Sequence, residues 1–287
     1  MGECAWQANG GAMVVDILIA IGLAFVMASG LSILIARTMT GVSIWSVSSM
    51  RGFPQSIDGW AALVCMVLVV LAFAALPWPF HPANGRAWVG HPAVIGGLIE
   101  GAFLVPVFAG LLAPSPLAAR AVVREAQVNS AGRLALWVAA GSLLWGDAGW
   151  TGLEVLGRVV LFVAGAATVA AAAGLGPFAP DASLSPSGAE EGLDERERWL
   201  AHAARQMRAS LALALFVVSV VPGAEAVQPG IALIITIALF AVLIVGLRRA
   251  RQTLPRLTLH ATVHWCLWRA LPVALIASVY LDLVAKG

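Results

Sequence analysis

The sequence predicts an all-α, polytopic integral membrane protein with about eight transmembrane helices and both termini on the non-cytoplasmic side. Three observations carry that reading. Of the 287 residues, 60% are hydrophobic and only 11% are charged, against about 25% charged in a typical soluble domain. The mean hydropathy is +0.90. Long apolar runs fill most of the chain, and nearly all the arginines fall in alternate gaps between them.

A helix needs about 20 apolar residues to cross ~30 Å of hydrocarbon. Eight runs qualify: Met13–Ala36, Trp60–Trp78, Pro92–Ala113, Leu134–Trp145, Gly152–Leu175, Ala209–Pro222, Ile231–Leu247 and Thr262–Val284. The fourth and sixth are short and must borrow flanking residues. Helices are the expected spanning form because lipid-exposed backbone must satisfy its own hydrogen bonds. The runs also lack the alternation of barrel strands.

The gaps fix orientation. The first holds Arg37 and Arg51, and the third holds Arg120, Arg124 and the bordering Arg133. The fifth holds Arg196, Arg198, Arg205 and Arg208, and the seventh holds Arg248, Arg249, Arg251 and Arg256. The even gaps offer only Arg86. Positive residues stay cytoplasmic. The expected organisation is therefore one transmembrane domain, 1–287, with cytoplasmic loops 37–59, 114–133, 176–208 and 248–261. Trp78, Trp88, Trp145 and Trp150 flank apolar runs as interfacial anchors do. Met1–Ala12 carry no basic cluster, so no cleaved signal peptide is expected.

Several chemistries find no foothold. The pI of 8.7 and net charge of +2 reflect loop arginines, so no nucleic-acid partner is expected. Cys4, Cys65 and Cys266 are scattered, with no disulfide, zinc or iron–sulfur spacing. His260 and His264 share a helix face but lack a third ligand, so no metal is expected. Gly174-Leu175-Gly176 leads into Pro177-Phe178 rather than a phosphate-cradling helix start, and no Ser/His/Asp constellation stands out.

Ionisable groups inside spans cost roughly 2.5–3.5 kcal/mol each even on the lenient insertion scale, which makes them candidate functional groups. Glu100 lies in the third run amid Gly96, Gly97 and Gly101, where glycines allow close helix approach. It is a proton-relay candidate, or else a carboxyl hydrogen-bonding two helices together. Glu154 and Arg158 are four apart and can pair; they are the other relay candidates, or else a structural pair that keeps both charges at least cost. Arg269 in the last run calls for a partner on another helix. In the fifth gap, Pro177–Gly192 reads as loop. Asp194–Arg208 reads as a helix running into the sixth span, with an Asp194/Arg198 pair and an apolar stripe of Leu193, Leu200 and Met207. That helix offers either a solvated face or a docking surface.

Three short stretches carry a family resemblance. Arg51-Gly52-Phe53-Pro54-Gln55 followed by Asp58, Val123-Arg124-Glu125 before the fourth span, and Gly176-Pro177-Phe178 with Asp181 resemble loop motifs of one membrane-subunit family. That family comprises the membrane subunit anchoring the peripheral arm of NADH–quinone oxidoreductase (complex I), with its counterparts in formate hydrogenlyases and other energy-converting membrane hydrogenases. Glu191–Pro222 and the basic Arg248–Arg256 segment look closer to the hydrogenase-type branch. The first loop lacks the family's Lys after Asp58, and Ala179-Pro180 interrupts the Pro-Phe-Asp.

The resemblance implies a non-redox membrane subunit of an oxidoreductase complex in a bacterial inner membrane. Such a subunit docks cytoplasmic iron–sulfur and hydrogenase-like or quinone-reductase-like partners. It couples electron transfer to proton or sodium movement in adjacent antiporter-like subunits. Arg51, Gln55, Asp58, Arg124, Glu125 and Asp181 are then the junction candidates. The chain itself is expected to bind no cofactor: the iron–sulfur clusters sit in partner subunits, and the departures weaken the case for a quinone. Two rivals share these residues, a stand-alone secondary transporter and a structural-only subunit that kept the scaffold and lost the chemistry.

Overall fold

The computed structural model describes residues 3–40, 54–83, 86–112, 115–146, 152–175, 178, 193–221, 228–255 and 257–286. Eight helices run through them: α1 Glu3–Thr40, α2 Ile57–Ala75, α3 Pro92–Leu111, α4 Pro116–Trp145, α5 Gly152–Ala172, α6 Glu195–Val220 and α7 Pro229–Thr253, then α8 Leu259–Lys286. Their starts are written locally. Ser56, Ser115 and Thr258 accept the backbone N–H of Gly59, Ala118 and Ala261 as N-caps, and prolines open α3, α4 and α7, where a missing N–H costs nothing. No strand occurs among the described residues.

Seven of the eight helices are long and apolar enough to cross a membrane. The exception is α4. Its apolar part, Leu134–Trp145, covers only about 18 Å, because the helix extends back to Pro116 through Arg120, Arg124, Glu125 and Arg133. The borrowing expected of the fourth run is thus larger than the run itself.

Contacts sort the helix termini into two ends. At the arginine end, the Ser56 N–H before α2 donates to Glu197 Oε1 in the first turn of α6 at 2.8 Å, and Ala36 of α1 packs with Ala203 of α6. There too Arg205 and Arg208 of α6 meet Glu125 of α4, and Phe178 lies against Trp265 of α8 with ring centroids 5.7 Å apart. At the opposite end, Arg86 meets Asp16 of α1 at 3.1 Å, Trp145 Nε1 donates to the Gly90 carbonyl at 2.7 Å, and Tyr280 of α8 reaches the Leu153 carbonyl of α5. The two termini of α4 therefore lie at the two ends of the bundle.

Helix α6 is the centre: 89% of its most apolar stretch is buried, against 22% in α1, α7 and α8. Its expected stripe turns inward, with Leu200 and Met207 buried. Arg198 donates to the Leu193 carbonyl at 3.2 Å rather than pairing with Asp194. The closest helix approach is not at the glycines around Glu100. A Cβ added at Gly96 or Gly97 would meet nothing within 4 Å, whereas one at Gly132 on α4 would collide with the Ala171–Ala172 backbone of α5. Helix α8 contains a wide π turn, Cys266–Ala270. Arg269 within it is exposed and meets no carboxylate among the described residues.

Aromatic residues close the opposite end. Trp78, expected as an interfacial anchor, is 4% exposed and stacks between Phe73 and Phe80. His81 lies beside Trp88. It accepts the Ala83 N–H at Nδ1, so Nε2 carries the proton donated to the Ala74 carbonyl at 2.7 Å. Burial pushes the imidazole below its ordinary value, partly opposed by that carbonyl. Its contribution to stability is complete above the ordinary value and lost as pH falls beneath it. Wild-type protein is expected to melt at progressively lower temperature below about pH 6.5. A His81→Gln chain, which takes up no proton, should show a flatter profile in thermal scans across that window.

Candidate functional site

A cavity of about 80 Å³ opens between α2, α3, α4 and α6 toward the arginine end, with Asp58, Phe103, Glu125, Asn129, Arg133 and Arg208 among its lining. Its polar lining comes from α2, α4 and α6, while α3 lends Phe103 and, one turn back, the Glu100 that pairs with the lining Arg133. On α3, Glu100 and Phe103 are one turn apart. On α4, Ser130, Arg133 and Trp137 follow the three- and four-residue spacing that shares a helix face.

The inner half of the site is built on Glu100. Arg133 Nε donates to Glu100 Oε1 and Arg133 Nη2 to Oε2, both at 3.1 Å, a forked pair in which two parallel bonds fix the geometry. Trp137 Nε1 adds a third donor at 2.8 Å, and Ser130 Oγ accepts from Arg133 Nη2 at 3.4 Å. The guanidinium sits 4.2 Å from the Phe103 ring centroid, where the ring face attracts a cation. Arg133 is 7% exposed and Glu100 38%.

The outer half is built on Glu125. Arg205 and Arg208 approach its two oxygens at 3.4 and 3.5 Å, and Arg208 also lies 5.4 Å from the Phe103 centroid. Phe103 thus separates two ion-paired clusters while touching a guanidinium of each. Burial by itself raises the Glu125 carboxyl, but the Arg205 and Arg208 charges and the Arg205 hydrogen bond outweigh it and hold the group below its ordinary value. Its share of stability is therefore present above pH 4.5 and lost as pH falls through the lower native value. Glu125→Gln is expected to cost about 1–3 kcal/mol near neutrality by stranding two guanidiniums. The gap between the two melting curves should close below pH 4.5, which thermal scans of both proteins would read.

Among the buried atoms of lining residues without a hydrogen-bond partner among the described residues are Arg208 Nε, a donor, and Asn129 Oδ1, an acceptor. Buried polar groups are rarely left unmade. A cavity this size holds several water molecules, since each needs roughly 10–15 Å³.

A proline explains a feature of α3. Pro106 lies inside the helix and cannot donate to the Ala102 carbonyl one turn back. The Cys65 thiol of α2 donates to that carbonyl instead, at 3.2 Å. The sequence offered this cysteine only as one of three scattered thiols.

The residues singled out from sequence separate into groups. Asp58 and Glu125 line the cavity, Glu100 meets it through Arg133, and Arg124 is half-buried on α4. Gln55 is exposed ahead of α2. Glu154 and Arg158 interact along the first turns of α5, at the opposite end, away from Glu100. Arg51 and Asp181 lie outside the described residues. Sequence reasoning missed Phe103 and Asn129, and treated Arg133, Arg205 and Arg208 only as loop charges. A carboxylate in one span with an arginine bordering the next was the available signal. His260 and His264 lie with ring centroids 6.1 Å apart, and no metal-ligating cluster occurs among the described residues.

Fold and site together define a polytopic helical membrane protein with an ion-paired cavity opening toward one end. No family model and no curated protein matches the sequence. The fold matches a chain in the structure of the membrane-bound sulfane sulfur reductase, described as an archaeal respiratory membrane complex. The TM-score is 0.60 at 15% identity, over 93% of this chain and 97% of that one. A likeness at this identity is a likeness of architecture.

Proposed function

We propose that the chain is a membrane subunit of a multi-subunit respiratory complex of the complex I-like or membrane-bound hydrogenase type. In this reading the arginine end is cytoplasmic and docks the redox arm. The bundle couples electron transfer there to proton or sodium movement in antiporter-like neighbours. The supporting observation is the cavity: carboxylates and arginines from α2, α4 and α6 gather toward the end that holds the arginine-rich loops, next to the Glu100–Arg133 pair. The full-length likeness to a chain of a respiratory membrane complex points the same way. Glu100 and Asp58 are the groups of this chain proposed to handle protons. Moving one charge against 100 mV requires about 2.3 kcal/mol, which rearrangement of these ion pairs has to transmit.

Affinity purification in mild detergent with mass spectrometry of the eluate is the direct test. Co-purifying iron–sulfur, hydrogenase-like or antiporter-like subunits are expected. Ion uptake by the chain alone in liposomes, with no stable partner, would replace this reading with a stand-alone transporter. The orientation has its own test: an introduced cysteine between Gly188 and Gln206 should label only from the cytoplasmic face.

One observation favours a structural-only subunit. Both Glu100 oxygens already accept hydrogen bonds from Arg133 and Trp137, so protonation there would give up the charge that holds the arginine. If Glu100→Gln and Asp58→Asn leave coupled ion movement intact while loss of the chain prevents assembly, the structural role is the correct one.

A further inference from the structure

From Ala226 to Leu281 the chain contains no aspartate or glutamate, yet it carries Arg248, Arg249, Arg251, Arg256 and Arg269. In the last turns of α7, Arg248 and Arg249 are exposed and meet no carboxylate among the described residues. The helix beneath them is exposed and apolar: Ile234 is 68% exposed, Ile237 60%, Val242 65% and Val245 53%. Ile234 and Val245 are about three full turns apart, so they stack on one line, and Arg248 and Arg249 straddle its extension. The five-residue link to α8 keeps this end of α7 with the arginine end, where α8 begins. Trp268 on α8 is 72% exposed, the placement of an aromatic at a lipid–water boundary.

We propose that this end of α7 binds an anionic phospholipid, with acyl chains along Ile234, Ile237, Val242 and Val245 and the phosphodiester held by Arg248 and Arg249. The occupant must be apolar over several helical turns and anionic at one end. A phospholipid has that shape, whereas an acidic peptide from a soluble partner satisfies the arginines alone. The exposed Arg248 and Arg249, in a segment with no acidic residue of its own, supply the complementarity, in the way that juxtamembrane basic clusters attract anionic headgroups. Arginines that merely snorkelled or met the negative end of the helix dipole would not discriminate between lipid classes. The inference requires only that the chain crosses a membrane, and it stands apart from the proposed coupling role.

The test uses the full chain, reconstituted with spin-labelled phosphatidylglycerol or phosphatidylcholine, and reads the motionally restricted fraction of each lipid. Wild-type protein is expected to prefer phosphatidylglycerol. An R248Q/R249Q variant should lose about fivefold of that preference per arginine, the ratio equivalent of ~1 kcal/mol for each basic residue near the surface. R248K/R249K should retain it, which separates loss of charge from misfolding. Millimolar inorganic phosphate should compete poorly. The proposal is overturned if R248Q/R249Q keeps the full preference. It is overturned equally if free phosphate abolishes the preference, or if wild type shows none and an acidic soluble subunit shields the arginines instead.

Discussion

Arg133→Met is expected to destabilise the protein by about 2–3 kcal/mol, below the ~3–5 kcal/mol typical of a fully buried pair because the Glu100 side chain keeps 38% of its exposure. The substitution leaves Glu100 with Trp137 as its remaining donor and strips the cation from Phe103. At roughly 2–4 °C per kcal/mol for a domain of 150–250 residues, the melting temperature in detergent should fall by about 4–12 °C. A Glu100→Leu/Arg133→Met double variant should recover most of the loss, because an apolar pair leaves no charge stranded. A neutral Arg133→Met would show that water already carries the load assigned to this pair.

Gly132→Ala should be at least as damaging. The new methyl group would fall on the backbone of Ala171 and Ala172, 2.7 Å from the Ala171 carbonyl carbon, and backbone cannot swing aside as a leucine tip can. Helices α4 and α5 would have to part, at a cost of about 2–4 kcal/mol, the upper range of overpacking. Gly96→Ala is the control. It meets nothing within 4 Å and replaces glycine in a helix interior, so it should be neutral or stabilising by up to ~1 kcal/mol. Equal effects of the two substitutions in thermal melts would remove α4–α5 contact as the reason.

The contrast between these two glycines marks where sequence reading stops. Glycines amid an apolar run are compatible with close approach, but which ones are used depends on where the neighbouring helix lies. The same boundary separates the ion pairs. Glu154 and Arg158 were legible because their spacing is local to one helix. The Glu100–Arg133 fork joins two helices, so Arg133 read only as a charge bordering a loop. The helices themselves were legible because length and apolarity set them, down to the short fourth and sixth runs. Their borrowed residues proved to be the site: Arg133 and Glu125 lie in the extension of α4, Arg205 and Arg208 in that of α6. Polar residues drawn into a helix that must be long enough to span have to be neutralised by one another, and that concentrates them where two such helices meet.

The wide turn in α8 has a consequence for how this chain tolerates length changes. Thr262, Cys266, Ala270, Ala274, Ala277 and Leu281 all point into the bundle, yet the first three steps are of four residues. A regular helix would rotate about 40° at every such step, carrying the inner line round toward lipid. The loosened coil between Cys266 and Ala270 stores the surplus residue and resets the phase. Deleting one residue there should leave an ordinary helix with its small side chains still aimed at α4 and α5. The same deletion after Ala274 has no slack to draw on and would turn Ala277 and Leu281 away from their neighbours.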